Sequence, residues 1–226
     1  MKQDNLRVIS AKDLGKLNMP DFCPRCFWLE RHLGKSPSVF PGIFSTLDAI
    51  TKRSAHRSFE QRNQAPDWLG MPELIDVVDG DICFKLPMKQ GDWILVGKPD
   101  DIFKVKDNSY YMIDYKTAKF TGRQDELLPI YQVQLNAYAY LAEQYGFKPI
   151  SKLFLVYCQP NENIKNDIDF ELGFETFVLE LEIDKDLLPN LLEEARQIVD
   201  QKELPQAHPK CKGICQWTEK AIPTFN

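Results

Sequence analysis

The chain lacks any apolar run approaching the ~20 residues that a membrane-crossing helix needs, so a helical membrane protein is excluded. Its first ten residues, MKQDNLRVIS, carry charges and no apolar stretch, so no secretory signal is expected. No segment repeats and none is compositionally simple, which excludes a repeat array or a linker-dominated chain. Positive charge is also short: 28 Lys and Arg against 33 Asp and Glu leave a net charge of −5. That argues against indiscriminate binding of polyanions and leaves room only for a local basic groove. What is present is a sizeable apolar fraction, 43% of 226 residues with 12% aromatic, enough to fill the core of one domain. The expected location is cytoplasmic, where the six cysteines would stay reduced.

Hydrophobic periodicity places a helix over 43–61, with Ile43, Leu47 and Ile50 at helical spacing. Short strand-like runs follow at 74–78, 81–86, 92–97, 101–105 and 110–114, separated by turn residues such as Asp79-Gly80 and Gln90-Gly91. A helix is expected over 129–145, where Pro129 is tolerated in the first turn and Gly146 provides a stop. Strands at 152–159 and 174–183 and a helix over 184–203 complete the pattern. Strands, helix, strands and helix in this order predict an α/β fold with a central mixed sheet flanked by helices. The chain is expected to be a single domain, residues 1–226, with its catalytic core at about 43–160.

The segment IDYKTAK, residues 113–119, reads as an apolar strand that acquires an acid and a base at its end. With a period of two, Asp114 and Lys116 share one face and Tyr115 takes the other. Upstream, Asp100 follows the run 92–97, so a hairpin would bring Asp100 and Asp114 together. Two close carboxylates repel unless a cation lies between them. Hard oxygen donors with open positions suit Mg²⁺, which retains waters and accepts phosphate oxygens. Lys116 would reach the same place, beside a metal that acidifies its bound water.

The array GKPD, then IDYK, then YQVQLNAYAYL resembles the PD-(D/E)XK nuclease superfamily, most of all its RecB-type branch, which includes CRISPR-associated RecB-like and AddB-like exonuclease domains. The resemblance implies a restriction-endonuclease-like fold and a Mg²⁺- or Mn²⁺-dependent deoxyribonuclease. In it Asp100, Asp114 and the main-chain carbonyl of Tyr115 hold the metal and Lys116 is the catalytic lysine. Gln134 and Tyr138, on one face of the 129–145 helix, would orient that lysine or touch DNA. His56 is the residue that the resemblance offers as a further metal ligand, although the glycine usual before it is absent. Exonucleolytic or end-processing work on DNA is implied, in repair, recombination or CRISPR-type defence, with a helicase or a CRISPR integrase as partner. The competing expectation is a catalytically inactive nucleic-acid-binding or scaffold module with a structural metal site.

Cysteines cluster toward both ends. FCPRCFW supplies Cys23 and Cys26, and PKCKGICQW supplies Cys211 and Cys215. Two such pairs can complete a four-thiolate site and clasp segments 20–30 and 208–217 across the core. A thioredoxin-type redox site is not expected, because no βαβ unit surrounds the first pair. Zinc, a [4Fe–4S] cluster and plain thiols all remain open; the cluster is what the resemblance implies, though with one cysteine upstream and three downstream rather than two and two. Cys83 and Cys158 fall in apolar strand patterns and are expected in the core. Lys98, Lys119 and Arg123, with Lys52, Arg53 and Arg57 on the first long helix, are expected as phosphate contacts that read no sequence.

Overall fold

The computed structural model describes residues 7–35, 41–120, 127–161, 168, 171–211, 213 and 215. In chain order the elements are β1 (Val8–Ser10), α1 (Ala11–Gly15), α2 (Pro24–Leu33), α3 (Gly42–Arg62), β2 (Leu74–Val77), β3 (Phe84–Pro87), β4 (Ile94–Gly97), β5 (Asp101–Val105), β6 (Tyr110–Thr117), α4 (Leu128–Gln144), β7 (Ile150–Pro160), β8 (Phe174–Leu181) and α5 (Leu187–Val199). The strands described form a five-stranded sheet, β2-β5-β6-β7-β8, and a three-stranded sheet, β1-β4-β3. Each mixes parallel and antiparallel pairs: β6 runs parallel to β7 and β1 to β4, and the other pairs are antiparallel. This is the expected mixed α/β class, compatible with a restriction-endonuclease-like fold, with its strands divided between two sheets.

The order follows from the sequence. Parallel neighbours need a crossover connection, and α4 is the one between β6 and β7. Central β6 is buried on both faces, and its side chains alternate between two cores. Met112 joins Leu135, Leu141 and Leu153 under α4. Tyr111, Ile113 and Tyr115 join Phe103, Val156, Ala55 and Phe59 under α3. Edge strand β8 is only partly buried, in keeping with its alternating pattern.

Two expectations are corrected. The 110–114 strand continues to Thr117, because its pairing with β7 carries on through Cys158, so the acid and base lie inside a strand. Cys83 is exposed, since it precedes β3 instead of lying within it; Cys158 is buried as expected. Ile43 and Ile50, which marked the first long helix, are 63% and 45% exposed. That helix is held instead by Ala55, Ser58 and Phe59 in its C-terminal half. One further helix, α2, forms where the sequence reading placed no element; Pro24 opens it and Phe27 is its buried anchor.

Gly97 shows why a glycine ends β4. A Cβ there would lie 2.6 Å from Leu141 Cδ1 and 2.8 Å from Tyr138 Cδ1, so the missing side chain lets α4 settle against the strand. Gly97→Ala is expected to destabilise the protein by about 1–3 kcal/mol through overpacking, measured by denaturant unfolding. It should also displace Tyr138.

Candidate active site

The register of β5 on β6 sets Asp101 opposite Ile113. One residue further, Asp100 meets Asp114, and residues directly opposed in an antiparallel pair share a face. Asp100 is fixed from two sides: Oδ2 accepts the Tyr115 main-chain N–H at 2.8 Å, and Oδ1 meets Lys52 Nζ at 2.6 Å. Lys52 is also paired with Asp48, one turn earlier on α3, at 3.0 Å. Asp114 is buried and forms an ion pair with Lys116. Lys116 Nζ lies 4.4 Å from the centre of the Tyr131 ring. From α4, Gln134 Nε2 donates to the Tyr138 hydroxyl at 2.7 Å and approaches Asp114 Oδ1 at 3.4 Å. Gln134 Oε1 is buried with no hydrogen-bond partner among the described residues.

The charges respond to this crowding. Burial, and then the nearby Asp114 charge, push the Asp100 carboxyl up to about 6 against the pull of Lys52. Burial opposes the charge on Lys116, but Asp114 outweighs it and raises the lysine above its usual value. Lys52 is raised in the same way: burial works against its charge, and Asp100 and Asp48 prevail. Burial and the Asp114 charge raise the Tyr138 hydroxyl, so it stays protonated.

A second polar chain lies on the other face. His56 Nε2 and Asp101 Oδ1 are 2.7 Å apart, and the Tyr115 hydroxyl donates to Asp101 Oδ2 at 2.7 Å. Its hydrogen bond to Asp101 raises the His56 pKa against the effect of burial. Tyr115 thus holds Asp100 through its main chain and Asp101 through its side chain.

Of the residues picked out from the sequence, Asp100, Asp114, Tyr115, Lys116, Gln134 and Tyr138 are brought together. His56 is directed to Asp101 instead of to the Asp100–Asp114 pair. Lys98 is exposed and paired with Asp81 at 2.8 Å. Lys119 is exposed just beyond β6, and Arg123 lies outside the described residues. Two participants were missed. Lys52 was read only as a phosphate contact, although its spacing of four from Asp48 and His56 placed it on the stripe that meets the strands. Asp101 was not singled out, yet alternation sends the second of two adjacent aspartates to the face opposite the first.

The four terminal cysteines converge. Their Sγ atoms all lie within 4.8 Å of one another. Cys23 and Cys26 sit at the start of α2, which is tied to the C-terminal segment by Arg25 Nε to Pro205 O (2.8 Å) and Trp28 Nε1 to Gln201 O (3.1 Å). Main-chain N–H groups of His208 and Gly213 point at Cys23 Sγ (3.4 Å) and Cys211 Sγ (3.2 Å). Burial raises the Cys23 thiol, but hydrogen bonds from the Cys26 and His208 main chain and from Cys215 bring it down to about 7. A Cβ on Gly213 would lie 2.9 Å from Cys26 Sγ, so glycine lets the backbone close over the sulfurs. Four sulfurs of this kind suit zinc or an iron–sulfur cluster.

The family model of the PD-(D/E)XK nuclease superfamily matches residues 44–219. The chain belongs to this superfamily. A solved structure described as "Crystal structure of SSO0001" is similar over 85% of this chain and 76% of that one, with 16% identity and a TM-score of 0.47. No curated protein matches the chain. PD-(D/E)XK nucleases generally use divalent metals. The donor set here fits such an ion: two opposed carboxylates, one with its pKa raised by burial and by the other's charge, and an amide oxygen beside them with no hydrogen-bond partner among the described residues.

The raised Asp100 pKa makes stability depend on pH. Its folded value is above its unfolded value, so the contribution is full below the usual carboxylate range and is lost as pH rises through about 6. In chelator, unfolding free energy is expected to fall by up to ~3 kcal/mol from this group between about pH 4 and 7. Denaturant melts of the wild type and Asp100→Asn across that interval check this; the variant should lose that component.

Proposed function

We propose that the protein is a RecB-type, metal-dependent deoxyribonuclease that hydrolyses phosphodiester bonds, processing ends or single strands. The observation that supports this best is the opposition of Asp100 and Asp114 on one face, with Lys116 two residues along that face. A scaffold has no use for two like charges held together in a partly desolvated place, where each raises the cost of the other. Asp100, Asp114 and the Tyr115 carbonyl would hold Mg²⁺ or Mn²⁺. Such an ion supplies an acidified water and positive charge for the phosphate. Lys116 presents an ammonium to the same place and stabilises negative charge developing on the phosphate. Gln134 and Tyr138 act as positioning residues, fixing Asp114 from α4. The His56–Asp101–Tyr115 chain supports the strand from behind. Work in repair, recombination or CRISPR-type defence, beside a helicase or integrase, belongs to this same reading.

For the cysteines we propose a single zinc ion. Thiolates on one tetrahedral zinc, with bonds of about 2.3 Å, stand about 3.8 Å apart. Four of the sulfur pairs here are 3.0 to 3.5 Å apart, and all four sulfurs fall within 4.8 Å of one another. In a cubane each thiolate takes a different iron, which spreads the sulfurs further.

Two experiments test these readings. End-labelled single- and double-stranded DNA should be degraded with Mg²⁺ or Mn²⁺ and not with chelator, and Lys116→Ala should lose at least about a hundredfold in rate. Equal cleavage by wild type and variant would remove the lysine from the chemistry. Anaerobically purified protein should carry one zinc per chain and no visible absorption, and Cys26→Ser should release the ion and lower the melting temperature. A brown protein with iron and acid-labile sulfide would replace zinc with a cluster.

A further inference from the structure

Three openings along α3 share lining residues, each with the next. The first, at the candidate active site, is lined by Phe44, Asp48, Tyr115, Lys116 and Thr117. Through Thr117 it meets a cavity of about 420 Å³ walled by Leu47, Ile50, Trp68, Cys158, Leu172 and Phe174. Through Ile50 and Ser54 that cavity meets a groove that carries Arg53, Arg57 and Arg62. A mixed-charge, an apolar and a cationic surface therefore follow one another on one helix.

We propose that the apolar cavity is a base-binding subsite. It takes one unstacked base of a single-stranded nucleic acid whose phosphates pass from the active site onto Arg53 and Arg57. The proposal rests on the nuclease reading and extends it to the substrate class.

Four observations support it. First, the aromatic wall is built in advance. Trp68 Nε1–H donates to Ser54 Oγ at 3.2 Å, its carbonyl accepts from Thr176, and its ring packs 6.1 Å from that of Tyr115. Second, the rim turns apolar area to water: Ile50 is 45% and Phe174 42% exposed. Aromatic and aliphatic faces of this kind stack any base, because every base has a π-face. Third, hydroxyls line the cavity: Ser54 and Thr117 can bond base edges, while Thr51 and Thr176, which donate to the Leu47 and Trp68 carbonyls, can still accept. Fourth, the charge fits. Lys52 is taken up by Asp100, whereas Arg53 and Arg57 are exposed and make no ion pair among the described residues. In a chain of net charge −5, two such cations beside an apolar cavity suit a phosphodiester strand. Taking a base out of a duplex costs unpairing and unstacking energy that a single strand is spared, which favours a single strand as the occupant.

The test uses the full chain carrying Lys116→Ala, without added divalent metal, and fluorescence polarisation with a labelled single-stranded oligonucleotide. One abasic residue is moved along the strand. Affinity should drop about tenfold or more at one position and little at the others. Ile50→Asp, at an exposed position that leaves the core intact, should weaken binding of the complete oligonucleotide by a similar factor. The abasic site should then cost nothing further, since both changes remove one contact. Phe174→Ala provides a second variant with the same expectation. Arg53→Gln with Arg57→Gln should weaken every oligonucleotide alike and flatten the salt dependence. Uniform affinity across the abasic series, full additivity with Ile50→Asp, or no measurable binding would overturn the subsite. Cleavage by the wild type with Mg²⁺ is scored separately. Cleavage without abasic dependence removes the subsite and leaves the nuclease, and abasic dependence without cleavage does the reverse.

Discussion

The register of β5 on β6 is the constraint from which the site follows. Asp101 opposite Ile113 puts Asp100 opposite Asp114. A slip of one residue would exchange the two faces of β5 and set Asp101 against the wrong neighbours. The register is secured because both faces are buried. Ile102 and Met112 lie in the core under α4, and Phe103, Tyr111 and Ile113 in the core under α3. Moving either set to the other side would mismatch volumes in two cores at once. Tyr115 adds a local lock, since its main-chain N–H and its hydroxyl hold the two adjacent aspartates on opposite sides of one strand.

The same geometry balances the charge of the acids. Asp100 carries Lys52 and Asp114 carries Lys116, so two negative charges meet two positive ones. Removing one partner from such a set leaves a buried charge uncompensated, which is far more costly than leaving the set intact. The lysines come from different elements, one from α3 and one from β6 itself. The balance therefore depends on α3 keeping its place on the sheet. The polar chain from His56 through Asp101 to Tyr115 contributes to that placement.

Much of this was legible from residues alone. Period two in IDYK put Asp114 and Lys116 on one face, and the order of GKPD, IDYK and the glutamine-bearing helix pointed to the convergence. The glycine of GKPD has a packing reason that no pattern could show, because the close approach of Tyr138 and Leu141 appears only when α4 is laid on β4. His56 illustrates the limit differently. Helical spacing placed it on the stripe facing the strands, but only the strand register shows that its nearest carboxylate belongs to Asp101. Ile43 and Ile50 marked the helix correctly, yet apolar spacing does not say whether protein or another molecule covers that face. The cysteine pairs were visible as spacing, and their convergence needed α2 to be bound to the segment after α5 by Arg25 and Trp28.

α3 joins these parts. Its 3.6-residue period divides it into stripes with different work. Asp48, Lys52 and His56 turn toward the acids of β5, while Ala55 and Phe59 enter the core. Ile50, Arg53 and Arg57 face outward beside the apolar cavity. The buried anchors are all in the C-terminal half, at Ala55, Ser58 and Phe59. The N-terminal half carries Phe44 and Asp48 at the mouth of the candidate active site, and Lys52 links it to Asp100. A segment with few buried contacts opens at lower free energy than its surroundings. The end of α3 at the candidate active site is thus the end with the fewest buried anchors.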